Sequence, residues 1–137
     1  MQSLGTAAAA PGEMDTGHLV VGEARDGSEV ELPVAVLNGA EDGRRLHLQA
    51  VSDGDELNGL GVLTRLLPRL DPRAIAGTIT VVAIANLPGF LVAEHRNPID
   101  DTKLNRAYPG GPEGSSSERI AHATLQAATD ADLVVDL

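Results

Sequence analysis

Acidic side chains are concentrated in the segment "AVSDGDELNG", residues 50–59, which follows one apolar run and precedes another. Asp53 and Glu56 lie three residues apart across a turn. Their carboxylates can therefore approach one divalent cation, and carboxylate ligands alone suit Mg²⁺ or Ca²⁺ better than Zn²⁺. The segment is a candidate metal-binding turn.

A purely structural role explains the same residues. Ser52, Asp53 or Asp55 would cap the N-terminus of a following helix. Glu56 would then lie in the first turn of that helix, where a negative charge is favourable, and Gly54 would make the turn. Taken alone, the segment leaves both interpretations open.

A second polar group of residues lies in the loop "RNPIDDTKLNRAYPGG", residues 96–111. Guanidinium groups and a side-chain amide can bind an anion such as a substrate carboxylate through paired hydrogen bonds. The alternative is that these are solvated loop charges tied to Asp100 and Asp101. The candidate substrate-binding residues are Arg96, Asn105 and Arg106.

The histidines and serines give weaker signals. The four histidines are scattered, at positions 18, 47, 95 and 122, and none has a partner at a helical metal-ligand spacing. Packing is the expected role of His47 in a strand and His122 on a helix, whereas His95 lies beside Arg96 and could contact substrate. Ser115 to Ser117 lack the G-x-S-x-G pattern of a nucleophile elbow and are expected to cap a helix.

The apolar runs predict the elements that position these residues. "HLVVGEA" and "EVELPVAVLNG" indicate a β-hairpin, in which Pro33 favours an edge position. "LHLQAVS" is a strand that leads directly into the acidic segment. Leucines then recur at spacings of three and four, with Val62 and Leu66 widening the stripe, which predicts an amphipathic helix from Glu56. These leucines are Leu57, Leu60, Leu63, Leu67 and Leu70.

The second half of the chain completes an α/β pattern. "GTITVVAIAN" is a continuous β-branched run typical of a strand buried on both faces, which gives a strand–helix–strand unit. The long polar loop is followed by a helix, "SSSERIAHATLQAATDA", with a serine N-cap and Glu118 in its first turn. "DLVVDL" indicates a short buried strand.

Composition excludes several classes of partner. The chain has 137 residues, 42% of them hydrophobic, which is enough for one domain with a core. Its formal net charge of −10 repels nucleic acids and anionic membranes, and no apolar stretch is long enough to span a bilayer. The absence of cysteine excludes thiolate metal ligands. Residues 1–17 lack the regions of a signal peptide and are expected to form a flexible tail before the domain at 18–137.

Five ordered segments carry a family resemblance: "DGDELNG", "TVVAIANLPGF", "RNPIDDTKLNRAYPGG", "SSSERIAH" and "ADLVVDL". Together they resemble the succinylglutamate desuccinylase/aspartoacylase family of the zinc carboxypeptidase-like superfamily, over roughly residues 30–137. That family has H-G-[DN]-E-x-x-G after a strand, a strand ending in N-P, an R…D…L-N-R-x-[FY]-P-G loop, a helix, and a strand ending in D-L-H.

The resemblance implies a fold and an activity. The expected fold is α/β, a mixed, mostly parallel sheet flanked by helices, zinc carboxypeptidase-like but a partial domain, and preceded by a β-hairpin. The expected activity is hydrolysis of an N-acyl amino acid, in which zinc activates water for attack on an amide or ester carbonyl. A small-molecule carboxylate substrate, a cytoplasmic location, and a homo-oligomer or completing chain are further expectations.

The resemblance also assigns roles to individual residues. Glu56 matches the metal-binding glutamate, and the loop's aspartate is Asp100. The positions that match the substrate-binding residues are Arg96, Asn105 and Arg106. Asp53 stands where the family has its first zinc histidine, and is retained as a candidate oxygen ligand. The second zinc histidine and the general-base glutamate are expected beyond Leu137.

Three functions follow as hypotheses. The first is a zinc-dependent hydrolase of N-acyl amino acids. The second is a degenerate or truncated member that keeps the fold without catalysis, because Asp53 departs from the family pattern. The third is a metallopeptidase of the same superfamily.

Overall fold

The computed structural model describes all residues from Met1 to Leu137 and contains seven β-strands and three α-helices. The strands are β1 (Gln2–Leu4), β2 (Ala7–Ala9), β3 (Glu13–Glu23), β4 (Glu29–Asn38), β5 (Glu41–Gln49), β6 (Ala76–Val82) and β7 (Leu133–Asp136). The α-helices are α1 (Asn58–Leu66), α2 (Leu87–Val92) and α3 (Ser116–Ala128), and short 3₁₀ turns cover Leu67–Arg69, Pro72–Ala74 and Leu104–Arg106. None of the helices has both the length and the hydropathy of a membrane span.

Five strands form one mixed sheet in the order β3-β4-β6-β5-β7. β4 is antiparallel to β3 and to β6, whereas β5 is parallel to β6 and to β7. This confirms the predicted α/β class with a mixed sheet, in which two of the four pairings are parallel. Gln49 is paired with Val82 on one side and with Asp136 on the other, so the carboxyl ends of three parallel strands meet at one edge.

The predicted hairpin of β3 and β4 lies within this sheet, and the edge position expected from Pro33 is wrong. β4 is an internal strand between β3 and β6. Pro33 is tolerated there because the ladder with β6 begins at Val34, so no partner requires a proline N–H. The Pro33 carbonyl instead accepts a hydrogen bond of 2.9 Å from the Ala83 N–H.

Residues 1–17 are ordered, which corrects the expected flexible tail. β1 and β2 form a small antiparallel hairpin, and Ala7 and Ala9 are completely buried under the main sheet. The alanine run resembles a tail in sequence because its small side chains are only weakly hydrophobic, but in the fold their small size allows close approach. A Cβ atom on Gly17 would lie 2.5 Å from the Ala7 nitrogen, which leaves no room for a larger residue.

Two apolar clusters cover the faces of the sheet. On one face Leu32 and Val34 of β4 pack with Ile120 of α3 and with the N-terminal hairpin. On the other face Leu63 of α1 packs against Ala50, Val51 and Val81. The predicted leucine stripe is buried only along its centre, because Leu63 is 1% exposed whereas Val62 and Leu66 are exposed.

β7 differs from the buried strand that its sequence indicates. It lies at the edge of the sheet and pairs only with β5. Leu133 and Val134 are therefore 59% and 51% exposed. The valine-rich pattern correctly predicts a strand but not its position, since β-branched residues are favoured in edge and central strands alike.

Candidate metal and substrate site at the carboxyl ends of the parallel strands

The turn after β5 is held in place by backbone hydrogen bonds. Val51 adopts a left-handed conformation, with φ of 57°, and its carbonyl accepts a hydrogen bond of 2.9 Å from the Asn86 N–H. The Ala50 carbonyl accepts another of 2.9 Å from Ala85, and the Glu56 N–H closes the turn on the Asp53 carbonyl at 3.0 Å. The backbone thus fixes the turn without using any of its carboxylates.

The acidic residues of this turn do not cap the helix that follows. α1 begins at Asn58, its N-cap residue is Leu57, and it has neither a side-chain cap nor an acidic residue in its first turn. The predicted capping role is therefore wrong, because Ser52, Asp53 and Asp55 all lie upstream of the cap, whereas the turn expected at Gly54 is present. The side chains of Asp53 and Asp55 instead contact His95, and that of Ser52 contacts Asp136.

Asp53 and Asp55 both contact His95, which arrives from the loop after α2. The His95 Nε2 atom lies 3.2 Å from the Asp53 carboxylate, and the Nδ1 atom lies 3.0 Å from the Asp55 carboxylate. The Asp53 side chain is 14% exposed, and its Oδ1 atom is buried without any hydrogen-bond partner. A buried carboxylate oxygen with no partner is costly in a folded protein, and functional sites are where such oxygens are found.

Asp136 at the end of β7 is a further carboxylate at this edge. The Ser52 hydroxyl donates to Asp136 at 3.2 Å. Burial raises the pKa of Asp136; hydrogen bonds from Ser52 and the Leu137 backbone oppose that rise, and the negative charge of Asp53 adds to it. At the carboxyl ends of the parallel strands, the hydrogen bonds to Asp136 therefore do not fully compensate its burial and its repulsion by Asp53.

A short hydrogen-bond chain connects this edge to the long loop and to α3. The Gln49 amide donates to Ser52 at 3.3 Å and to the Tyr108 hydroxyl at 3.2 Å. The Tyr108 hydroxyl also shares a hydrogen bond of 2.8 Å with Thr124. Through Tyr108 the loop that carries the predicted substrate-binding residues is anchored to the strand ends.

The two predicted metal ligands do not by themselves make a zinc site. The Asp53 carboxylate is paired with His95, and Glu56 is exposed and makes no side-chain hydrogen bond or ion pair. No group of three or more histidine, aspartate or glutamate side chains is arranged to hold a metal ion. A pair of carboxylates without an imidazole also lacks the nitrogen donor that catalytic zinc sites use. The assignment of Asp53 and Glu56 as a zinc pair does not fit the donor set.

The three predicted substrate-binding residues are all exposed. The Arg96 guanidinium donates to the Asp101 carbonyl at 2.8 Å and lies 3.7 Å from the Asp101 carboxylate. Asn105 and Arg106 belong to the 3₁₀ turn, and their side chains make no hydrogen bond or ion pair within the chain. The alternative of loop charges tied to aspartates holds for Arg96 alone, so the donors of Arg106 are available to a ligand.

Sequence reasoning missed residues that the structure brings to the site. The sequence indicates only a weak substrate role for His95 and no role for Asp136, Tyr108 or Asn86. Asp136 could have been found, because β5 and β7 both deliver an acidic residue at or just after their carboxyl ends. Nothing in the sequence indicated that His95, forty residues from Asp55, would return to that turn.

This sheet has helices on its faces and polar residues at the carboxyl ends of its strands. The same α/β arrangement is found in desuccinylase and aspartoacylase structures. Residues 42–137 match the family described as Succinylglutamate desuccinylase/Aspartoacylase catalytic domain. The chain belongs to this family.

Individual relatives cover most of the chain. It is 34% identical over 109 residues to the N-alpha-acetyl-L-2,4-diaminobutyric acid deacetylase of Halomonas elongata, a match that spans 79% of this chain and 32% of that protein. The product-bound ectoine utilization protein EutE (DoeB) of Ruegeria pomeroyi superposes with a TM-score of 0.86 at 29% identity, covering 96% of this chain and 41% of that one. An aspartoacylase family protein of Mesorhizobium loti gives 0.83 at 33% identity, covering 99% and 44%. The chain thus spans less than half the length of these relatives.

Proposed function

We propose that the chain, including the N-terminal hairpin that packs into its core, is the N-terminal part of the catalytic domain of a hydrolase that removes the acyl group from an N-acyl amino acid. The observation that carries the proposal is the family match over residues 42–137, together with 34% identity to a deacetylase. The proposed substrate class is a small N-acyl amino acid, with N-alpha-acetyl-L-2,4-diaminobutyric acid as the first compound to test.

The exposed loop residues support a role in binding the substrate carboxylate. A guanidinium group has five N–H donors in a planar fork that matches a carboxylate. Those of Arg106 make no hydrogen bond or ion pair within the chain, whereas Arg96 commits one nitrogen to Asp101. Arg106 is therefore proposed as the main carboxylate anchor, assisted by Asn105 on the same 3₁₀ turn and by Arg96.

The expectation that zinc takes part rests only on the resemblance to the family. The water-activating metal chemistry expected from the resemblance requires ligands that Asp53 and Glu56 do not complete. For that reason the role proposed for the residues of this chain is to bind and orient substrate at the strand ends. The rate of substrate hydrolysis by a Glu56→Gln variant tests whether the Glu56 carboxylate contributes to catalysis.

A second candidate is a non-catalytic member that retains the fold. The observation that favours it is Asp53 itself, which replaces the family's zinc histidine and is already paired with His95 at 3.2 Å. A protein of this kind would bind N-acyl amino acids through the loop arginines without hydrolysing them.

A substrate panel tests these proposals. The purified protein is incubated with N-alpha-acetyl-L-2,4-diaminobutyrate, N-acetyl and N-succinyl amino acids, and a set of short peptides, and release of free amine is followed. Release from the N-acyl amino acids supports the deacylase, and release only from peptides supports the metallopeptidase alternative. Binding without release, measured by calorimetry, supports the non-catalytic member.

The anchor is tested by Arg106→Ala, with Arg65→Ala as its matched control, because Arg65 is an exposed arginine on α1. Arg106→Ala should raise KM, or the dissociation constant, about 10- to 150-fold, since a hydrogen-bonded charge pair contributes about 1.5–3 kcal/mol. Arg65→Ala should leave it unchanged. Equal values for Arg106→Ala and the unaltered protein would remove Arg106 from the site.

A further inference from the structure

His47 is a completely buried histidine in which one ring nitrogen has no hydrogen-bond partner. Its side chain is 0% exposed, and its Nδ1 atom lies 2.9 Å from the Thr80 hydroxyl. Its Nε2 atom is buried and unpaired. The packing role expected from the sequence accounts for burial of the ring but not for this atom, since a buried polar atom without a hydrogen bond is costly.

The unpaired nitrogen faces a pocket of about 190 Å³ between β5, β7 and α3. In the sheet, His47 is paired with Thr80 of β6 on one side and with Val134 of β7 on the other. Val134 lines the pocket and Thr80 does not, so Nδ1 is directed towards β6 and Nε2 towards the pocket. Two wall residues, Leu125 and Val134, are 41% and 51% exposed, so the pocket is open to solvent between α3 and β7.

We propose that this pocket binds a short, uncharged aliphatic molecule that ends in a hydroxyl or primary amide group, with that group hydrogen-bonded to the Nε2 atom of His47. The inference goes beyond the proposed function, because it assigns a ligand to a pocket that the proposed carboxylate anchor does not use. Binding to the pocket can be measured without any hydrolysis.

A water molecule alone suits the pocket poorly. A buried water typically makes about three hydrogen bonds to polar groups that are otherwise unsatisfied. Here the Gln49 amide donates to the Tyr108 hydroxyl at 3.2 Å, and that hydroxyl shares a hydrogen bond of 2.8 Å with Thr124. Among the residues that line the pocket, only His47 has a buried polar atom without a partner. One free polar atom favours a ligand with one polar group.

The rest of the lining sets the size and the apolar character of the ligand. Leu125, Ala128 and Val134 provide an aliphatic wall opposite the polar residues. Since an apolar cavity of about 150 Å³ holds benzene, a pocket of about 190 Å³ has room for about six heavy atoms. A chain of about four carbons with one polar group at its end fits that space.

Charge excludes acids and amines as ligands. No arginine or lysine lines the pocket, and the carboxylate of Asp136 repels an anion. Burial lowers the pKa of His47 below its ordinary value, so the ring is neutral at pH 7, and an ammonium group would lose its hydration against it. The Thr80 hydroxyl can donate to Nδ1 or accept from it. A hydroxyl or amide, which both donates and accepts, therefore matches either tautomer of the imidazole.

An alcohol titration followed by NMR tests the inference. In protein labelled with ¹⁵N-histidine, 1-butanol should give a saturable shift of the His47 ring signals, while those of the exposed His18 stay unchanged. From ethanol to 1-propanol to 1-butanol, each added CH₂ should tighten the dissociation constant about fourfold, which corresponds to about 0.8 kcal/mol. Butyrate and butylammonium should give no saturable shift. An unshifted His47, or parallel shifts at His18 that do not saturate, would overturn the inference.

Two variants locate the binding site. Ala128→Leu fills the pocket and should abolish the shift, whereas Ala74→Leu, at an exposed alanine outside the pocket, should leave 1-butanol binding unchanged. His47→Leu removes the nitrogen and should weaken binding about 2- to 12-fold, as expected for one neutral hydrogen bond. Because the label is lost with His47, binding to this variant is measured by calorimetry, and urea unfolding verifies that each variant is folded.

Unchanged 1-butanol binding in Ala128→Leu contradicts the inference even where His47→Leu does not fold. None of these measurements depends on deacylase activity, so failure of the proposed function would be recognised separately.

Discussion

The starts of α1 and α3 contain the same kinds of residues and use them differently. At α3 the Ser115 side chain accepts from the Glu118 N–H at 3.4 Å, and Glu118 accepts from the Ser115 N–H at 2.8 Å, which is a complete capping box. At α1 the cap is Leu57, and the serine and carboxylates that precede it bond to none of the helix's N–H groups. Polar and acidic residues before a helix therefore cap it only when their side chains form hydrogen bonds with its free N–H groups.

The carboxylates of Asp100 and Asp136, both only partly shielded from solvent, show a similar contrast. Burial pushes the pKa of Asp100 upwards, but hydrogen bonds from Ser117, Ser115 and Thr102 outweigh it, so the pKa of Asp100 lies below its ordinary value. For Asp136 burial prevails, and its pKa lies above the ordinary value. Asp100 is thus stabilised as an anion by the start of α3, whereas Asp136 and Asp53 form a region short of positive charge.

The largest effect is expected from Gly54→Ala, which tests whether the turn before α1 is rigid although its carboxylates do not cap that helix. The added Cβ atom meets backbone on α2, which cannot move independently, so we expect a loss of about 3 kcal/mol in the free energy of unfolding. The measurement is urea denaturation. Gly61→Ala is the control: its Cβ meets nothing within 4 Å on an exposed helix, and it should gain about 0.5–1 kcal/mol. Equal effects would contradict the close contact.

Asp100→Asn should cost about 1.5–3 kcal/mol at neutral pH, because the carboxylate accepts 2.7 and 2.8 Å hydrogen bonds from the Ser117 N–H and hydroxyl. The folded-state pKa lies below the ordinary value of 3.8, so this stabilisation is complete above that value and is lost as the pH falls through the lower folded value. Unfolding midpoints measured between neutral pH and strong acid should therefore converge for the two proteins. A constant difference across that range would show that the anion is not the stabilising form.

Ser115→Ala should lower the free energy of unfolding by about 1 kcal/mol, since it removes the N-cap of α3. The corresponding change before α1 is Glu56→Gln, which should alter stability by less than about 0.5 kcal/mol, because the Glu56 side chain is exposed and unbonded. Thermal denaturation of both variants gives the comparison. A destabilised Glu56→Gln protein would indicate a capping role that the structure does not show.

Asp136→Asn has the smallest expected effect, and in contrast to the losses expected from Gly54→Ala and Ser115→Ala it should stabilise the folded protein. Asp136→Asn should raise the free energy of unfolding at pH 7 by less than about 0.5 kcal/mol, because the folded chain disfavours the charged form. Since its folded pKa is raised, the penalty is absent below the ordinary value of 3.8 and appears as the pH rises through the folded value. The gain should vanish in acid. Destabilisation at pH 7 would mean that the Ser52 hydrogen bond outweighs the repulsion.

Local patterns predicted the secondary structure well. The spacing of leucines around Leu63 predicts α1, the β-branched run predicts β6, and Ser115 with Glu118 predicts the start of α3, all of which the structure contains. One error concerns elements, since residues 1–17 form the hairpin of β1 and β2 where a tail is expected. The other errors concern which strands are neighbours. Pro33 lies in an internal strand and β7 lies at an edge, because pairing depends on segments distant in sequence.

By itself, the sequence determined the order of the elements, the position of the acidic turn at the end of a strand, and the absence of a histidine at position 53. These are local properties, fixed by side-chain periodicity and residue identity. Only the tertiary structure decided that the turn leaves α1 uncapped and that His95 lies between Asp53 and Asp55. The physical reason is that this contact depends on the Gly54 approach to α2 and on Asn86 holding the His95 carbonyl, which no spacing along the chain encodes.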